Sequence, residues 1–134
     1  MSRRHQTQWA AQFAVASELC KRGYEVAFTM GNHREADLMV LSKSKAAFVV
    51  DVKGLYKRNP FVVSAKEVRS DLYYVLAFVP DAGQNEFFVL SQEEVRRKSK
   101  AELKRLGRSK DYSIPGLSWL CVQPFKDKWD TLPS

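Results

Sequence analysis

The sequence is poor in the features that mark membrane, secreted and zinc-binding proteins. It has two cysteines, Cys20 and Cys121, which are not part of a close-spaced motif, so we expect free buried thiols rather than a disulfide or a zinc site. No apolar run approaches the ~20 residues that span a bilayer, and the first residues lack the apolar centre of a signal peptide. We therefore expect a cytoplasmic protein with no membrane partner.

Linkers, internal repeats and low-complexity tracts are also missing. The 134 residues are 45% hydrophobic and 12% aromatic, which argues against intrinsic disorder and is enough for a core of substantial size. We predict a single domain over residues 1–134.

The excess of positive charge lies in one segment. The net charge is +7, and residues 96–110 contain eight cations against the single acid Glu102, while the rest of the chain is balanced. This distribution is typical of a surface that binds a polyanion. The alternative is a solvated helix whose late cations complement its dipole. The cations are Arg96, Arg97, Lys98, Lys100, Lys104, Arg105, Arg108 and Lys110.

Periodicity and turn signals predict an alternation of helices and strands. A helix is predicted over residues 7–22, with Trp9, Phe13, Ala16 and Cys20 on one stripe. Two capping-box patterns predict helices, one from Ser64 towards Ser70 and one from Ser91 through the basic segment. Strands are predicted over residues 24–30, 36–41, 46–53, 72–79, 86–90 and 117–122, and the tail is expected to pack through Trp129 and Leu132.

The third predicted strand ends in two charges. Asp51 and Lys53 are two residues apart, so their side chains leave the same face of the strand. Val49, Val50 and Val52 indicate that this strand is packed. Charged groups at the end of a buried strand need a partner, water or a metal ion.

A second acid falls beside this strand end. The strands over 36–41 and 46–53 form a hairpin through residues 42–45. A hairpin centre between Lys43 and Ser44 places Asp37 opposite Val50, and a centre at Ser44 places it opposite Asp51. Directly opposite Cβ atoms lie ~5 Å apart, so the two carboxylates would repel each other. The alternative is two unrelated surface acids.

Glu18 is the third candidate acid. It lies almost opposite the Trp9 stripe of the first helix, among Ala11, Ala14 and Val15, which suggests close packing against a sheet. The alternative is an exposed glutamate that pairs with Arg22 at i+4.

Two or three converging carboxylates suit a hard divalent cation, because Mg²⁺ takes oxygen ligands and keeps several waters. A metal ion would relieve the repulsion between Asp37 and Asp51 and activate a bound water. Mn²⁺ is an expected substitute, and the Val52 carbonyl is a candidate neutral ligand. Lys53 would orient that water and stabilise charge in the transition state.

In this order, Glu18, Ala36-Asp37 and Val50-Asp51-Val52-Lys53 resemble the PD-(D/E)xK nuclease superfamily, the restriction-endonuclease-like fold that includes Holliday junction resolvases. The resemblance implies a three-layer α/β/α core with a mixed central sheet. It also implies that Asp37 and Asp51 bind Mg²⁺, that Lys53 is the catalytic lysine and that Glu18 assists. Ala36 departs from the family's proline, and Asp51 stands where many members have glutamate.

The expected function is therefore a Mg²⁺-dependent nuclease that hydrolyses phosphodiester bonds, with DNA as the expected substrate. Lys57, Arg58 and the cations of the basic segment would contact the phosphate backbone. The alternative function is a catalytically inactive nuclease-fold module that binds nucleic acid, or a subunit of a complex. A homodimer is also left open, because an enzyme of this size that acts on both strands has reason to pair.

Overall fold

A five-stranded mixed sheet organises the chain. A computed structural model describes residues 1–30, 36–63, 66–107 and 116–134. The helices are α1 (Arg3–Lys21), α2 (Gln92–Arg105) and α3 (Trp119–Val122), followed by 3₁₀ turns at Gln123–Phe125 and Trp129–Thr131. The strands are β1 (Glu25–Phe28), β2 (Leu38–Leu41), β3 (Ala47–Leu55), β4 (Phe61–Val62), β5 (Leu72–Phe78), β6 (Glu86–Ser91) and β7 (Gly116–Leu117).

The strand order is β1-β2-β3-β5-β6, and β4 pairs separately with β7. The central pair, β3 and β5, is parallel, and the other pairs of the sheet are antiparallel. Strand β5 is buried along almost its whole length, as its continuous apolar sequence predicted.

Each face of the sheet has its own hydrophobic core. One core joins α1 and the C-terminal tail to the sheet, and the other joins α2, α3 and the small β4–β7 sheet to the opposite face. The predicted mixed α/β class with a central sheet flanked by helices is therefore confirmed. The first core includes Ala11, Val15, Leu19, Val50, Val52, Trp129 and Leu132, and the second includes Val49, Leu72, Leu76, Val95, Leu117 and Val122.

Helix α1 presents a different face to the sheet from the one predicted. It begins at Arg3, where the Ser2 hydroxyl accepts a hydrogen bond from the His5 amide at 3.2 Å. Of the predicted stripe only Ala16 is buried, while Trp9 is partly exposed and Phe13 is 59% accessible. Small residues face the sheet because the helix approaches it closely, and a Cβ added at Gly54 would lie 2.6 Å from the Ala11 Cβ.

The expectation of buried thiols is wrong for Cys20 and only partly met for Cys121. Both cysteines are free, but Cys20 is exposed and Cys121 is partly buried. Cys20 lies one turn beyond the buried Ala16 on the predicted stripe of α1, where the helix surface faces solvent.

The helix predicted from Ser64 towards Ser70 is wrong over residues 66–70, which are not helical, and Ser64 lies outside the described residues. The Gln92 side chain forms hydrogen bonds with backbone groups of this segment. Its amide donates to the Glu67 carbonyl at 2.8 Å and accepts from the Arg69 amide at 2.7 Å. These groups are therefore satisfied without helical hydrogen bonds.

The strand predicted over residues 117–122 is also wrong after its first residue. Strand β7 ends at Leu117, and the Ser118 hydroxyl accepts a hydrogen bond from the Cys121 amide at 3.2 Å. Ser118 therefore acts as the N-cap of α3.

The remaining predicted elements agree closely with the structure. The capping box of Ser91 and Glu94 forms in full at the start of α2. Trp129 and Leu132 are buried, as expected for the tail. Within the described ranges, no helix is both long and apolar enough to cross a membrane.

Candidate active site

The hairpin register brings the two predicted aspartates together. Leu38 pairs with Val50, which confirms the alternative in which the hairpin is centred at Ser44. The paired register ends at Leu38, and Asp37 follows next to it, with its amide donating to the Val50 carbonyl at 2.9 Å. Asp37 is close enough to the Asp51 carboxylate for that charge to raise the pKa of Asp37.

Asp37 is half-buried and fixed to the edge of β3. Its Oδ2 accepts a hydrogen bond from the Val52 amide at 2.8 Å. Burial raises the pKa of Asp37 to about 6, the Asp51 carboxylate adds to this rise, and the Val52 amide and the Lys53 ammonium oppose it. The two acids therefore share a site in which a second negative charge is unfavourable.

Asp51 is 3% exposed and contacts two lysines. The Lys53 Nζ lies 3.6 Å from its Oδ1, as expected for residues on one face of a strand. The Lys66 Nζ lies 2.6 Å from its Oδ2 and is the closer of the two. Lys66 thus supplies positive charge at the point where the sequence predicted a metal ion.

Gln8 is a site residue that the sequence analysis missed. Its amide donates to the Val52 carbonyl at 2.7 Å and accepts from the Gly54 amide at 3.2 Å. It therefore continues the hydrogen bonding of β3 where β2 has ended. The sequence contained a signal for this position, because Gln8 falls on the same helical stripe as the small or apolar residues Ala11 and Val15, which face the sheet. The Val52 carbonyl, predicted as a metal ligand, is hydrogen-bonded to Gln8.

Glu18 does not join the two aspartates. Its carboxylate lies 3.6 Å from Lys21 and 3.8 Å from Arg22, so the alternative pairing with Arg22 is the one observed. The part of α1 near the end of β3 is the turn that contains Gln8, and Glu18 is ~15 Å further along the helix axis at 1.5 Å per residue. The start of α1, rather than its end, lies over the site.

The donor set suits a divalent cation with two protein ligands. Within the described ranges, no group of three or more histidine, cysteine, aspartate or glutamate side chains is placed to hold a metal. Magnesium is nevertheless commonly bound through one or two carboxylates, with water and substrate phosphates completing its shell. Asp37 and Asp51 meet that requirement, whereas Glu18 does not contribute to it.

The residues predicted to contact nucleic acid have different surroundings. Lys57 is exposed, with its Nζ 5.5 Å from the centre of the Tyr56 ring. The Arg58 guanidinium lies 2.6 Å from Glu86 and stacks over Trp119 at 4.4 Å. Burial raises the pKa of Glu86, but Lys126 and Arg58 lower it below its ordinary value. Arg58 is therefore held by contacts within the protein.

The cations of the basic segment likewise include some that contact other side chains of the protein and some that are exposed. Arg105 pairs with Glu102 at 2.9 Å, and Lys98 lies 5.7 Å from the centre of the Phe125 ring. Arg108 and Lys110 lie outside the described residues. Arg96, Arg97, Lys100 and Lys104 are exposed and have no such contact with a described residue, and the first three line a cavity of about 730 Å³.

No family model, curated protein or solved structure matches this chain. The geometry of Asp37, Asp51 and the lysines around them is therefore the basis for inferring a function.

Proposed function

We propose that the protein is a metal-dependent nuclease that hydrolyses phosphodiester bonds in nucleic acid, with DNA as the expected substrate, on a restriction-endonuclease-like core. The proposal rests on the position of Asp37, which is hydrogen-bonded to the Val50 carbonyl and the Val52 amide on either side of Asp51, with the Lys53 ammonium 3.6 Å from Asp51. Acidic side chains at adjacent strand ends repel each other unless a proton or a cation joins them.

Asp37 and Asp51 would hold Mg²⁺ or Mn²⁺ through their carboxylate oxygens. When bound, the ion would neutralise charge on a phosphoryl oxygen and lower the pKa of a coordinated water. The protein's own part is to position these groups. The Val52 amide fixes Asp37, and Gln8 fixes the end of β3.

Lys53 has the placement required of the catalytic lysine. Its side chain is 30% exposed, while that of Asp51 is 4% exposed, so the ammonium lies between the buried acid and solvent. A substrate phosphate that approaches from solvent would meet Lys53 first. Its charge would orient the attacking water and stabilise the negative charge that develops on the phosphoryl oxygens.

Cleavage of DNA by purified protein tests the proposal. We expect product with Mg²⁺ or Mn²⁺ and none in EDTA, from a panel of duplex, single-stranded, flap and junction substrates. Lys53→Ala should reduce the rate by about 100-fold or more, the usual loss for a group that stabilises transition-state charge. Lys21→Ala, which removes a 70% exposed lysine elsewhere, is the matched control and should cleave at the wild-type rate. Equal cleavage by Lys53→Ala would refute the assignment.

A second candidate function is a nuclease-fold module that binds nucleic acid without turnover, alone or as a subunit of a complex. The 2.6 Å contact between Lys66 and Asp51 favours it, because a resident ammonium group can replace a metal ion permanently. This candidate predicts salt-dependent binding with no product at any Mg²⁺ or Mn²⁺ concentration. Metal-dependent product that is lost in Asp51→Asn would exclude it.

A further inference from the structure

A basic groove lies at the end of β3 that carries Lys53. It has a volume of about 850 Å³ and runs between the start of α1 and the segment that leads from β3 to β4. We refer to it as the α1–β3 groove. Its basic and aromatic lining residues are Arg3, Arg4, His5, Lys53, Tyr56, Lys57 and Phe61.

The charge of the α1–β3 groove is of one sign. Four of its lining residues are lysine or arginine, and none of the described residues that line it is aspartate or glutamate. The cavity beside α2, by contrast, includes Glu93 in its lining. Concentrated charge of one sign in a concave surface focuses the electrostatic field and attracts an oppositely charged ligand.

Three of the four cations have contacts within the protein, since Lys53 lies 3.6 Å from Asp51 and the Lys57 Nζ lies 5.5 Å from the centre of the Tyr56 ring. Arg3 pairs with Asp81, and its guanidinium lies 4.1 Å from the centre of the Tyr56 ring. Arg4 and Lys57 are exposed, and neither forms an ion pair with a described carboxylate. Arg4 and Lys57 are therefore available to a ligand, while Arg3 and Tyr56 shape the wall between them.

The groove is continuous with the candidate active site. Lys53 lines it and also lies 3.6 Å from Asp51, and Gln8, which also lines it, is hydrogen-bonded to Val52. A polyanion that occupied the groove would place one of its charged groups beside Lys53. A ligand with several negative charges can meet more than one of the four cations at once, which a single small anion cannot.

We propose that the α1–β3 groove binds the phosphate backbone of a nucleic-acid strand and leads it to Lys53. Arg4 and Lys57 contact phosphates on the two walls of the groove. The choice of nucleic acid over another polyanion rests on the proposed function, whereas the location of the binding surface rests on the charge and shape of the groove.

The test is the affinity of the full chain for a fluorescent oligonucleotide, measured by anisotropy in EDTA over a series of salt concentrations. The variant is Arg4→Gln with Lys57→Gln, which removes two exposed charges. We expect binding to weaken about tenfold or more at low salt. The slope of log K against log salt should fall in magnitude by about 1.4 for a single strand and about 1.8 for a duplex.

The matched control is Lys43→Gln with Lys45→Gln. It removes the same charge from two exposed lysines at the opposite end of β3, ~30 Å away along nine residues at 3.3 Å each. The control should bind like the wild type. The proposal is overturned if the groove variant binds with wild-type affinity and slope, or if the control loses as much affinity.

A competition experiment separates nucleic acid from acidic protein. Polyglutamate that displaced the oligonucleotide more effectively than unlabelled DNA would also overturn the proposal. Because binding is measured without metal, its outcome is independent of cleavage. A protein that binds through the groove but never cleaves would contradict the proposed nuclease and leave the groove assignment intact.

Discussion

Lys66 places an ammonium group on a carboxylate that is almost fully buried. Its side chain is 14% exposed and that of Asp51 is 4% exposed. A buried pair of this kind is costly to break from one side, because the remaining charge is left without a partner. The same ammonium competes with any cation that binds Asp51. If Asp51 binds a metal ion, as proposed, Lys66 links the stability of the metal-free protein to its affinity for that ion.

Lys66→Met tests this link. Without metal, the free energy of unfolding should fall by about 3 to 5 kcal/mol, the usual loss when one member of a buried pair is removed. Mn²⁺ should then bind more tightly than to the wild type and raise the melting temperature by a larger increment. Calorimetric titration with Mn²⁺ and thermal unfolding measure the two effects.

The matched control is Lys98→Met, which makes the same substitution at a partly exposed lysine on α2 beside Phe125. It should leave Mn²⁺ affinity unchanged. Weaker Mn²⁺ binding by Lys66→Met would show that Lys66 supports the site instead of competing for it.

Asp37 predicts a dependence of stability on pH. Its pKa is raised from 3.8 to about 6 in the folded protein, mainly by burial and by the neighbouring Asp51. The folded state therefore holds a proton that the unfolded state has already lost. The contribution of Asp37 to stability is fully present below pH 3.8 and is lost as the pH rises to about 6.

Urea unfolding of wild type and Asp37→Asn across this pH range measures the effect. The stability of the wild type relative to the variant should fall with rising pH. Asp130→Asn changes an exposed acid and is the control. The difference in stability between the wild type and this variant should not fall with rising pH. A difference between wild type and Asp37→Asn that stays constant with pH would contradict the shifted pKa.

The residues of the site were partly predictable. The pairing of Leu38 with Val50, which brings Asp37 near Asp51, follows from the length of the hairpin, and the shared face of Asp51 and Lys53 follows from strand geometry. Lys66 was not predictable, because it reaches Asp51 from a segment whose conformation is set by the distant Gln92. Glu18 was misplaced because periodicity gives the face of a helix but not the direction in which it crosses a sheet.

At the scale of elements, the packing of α1 on β3 decides which side chains reach the site. The sequence offered an aromatic stripe and a small-residue stripe on this helix, and aromatic residues are often the buried ones. The small-residue stripe is the one that packs on the sheet, because Gly54 allows the helix to approach β3 closely. That approach brings Gln8 within hydrogen-bonding distance of the Val52 carbonyl.

Gly54→Ala should weaken this packing. The added Cβ would lie 2.6 Å from the Ala11 Cβ and 3.1 Å from the Thr7 carbonyl oxygen, so α1 must move away from β3. We expect a loss of about 1 to 3 kcal/mol in the free energy of unfolding, as in other overpacked cores. Chemical denaturation measures it.

Gly116→Ala is the matched control, because its added Cβ would meet Pro60 at an ordinary 3.4 Å. It should change stability little. A Gly54→Ala protein as stable as this control would show that the close approach of α1 is not required by the fold.

At the scale of the whole molecule, folding gathers charges that the sequence leaves dispersed. The excess positive charge lies in residues 96–110, and the rest of the chain is neutral in sum. Nevertheless, Arg3, Arg4, Lys53 and Lys57 meet in one groove without a described acid in its lining. The fold class was predictable from the order of helices and strands, but this surface depends on where α1 begins relative to β3.

Asp37 and Asp51 are proposed to share a divalent cation. Anomalous diffraction from crystals soaked in Mn²⁺ tests this proposal. We predict a peak about 2 Å from carboxylate oxygens of both residues, the distance expected for a small divalent ion, with the Lys66 ammonium displaced from Asp51. The absence of a peak between the two carboxylates, with Lys66 still 2.6 Å from Asp51, would contradict the proposal.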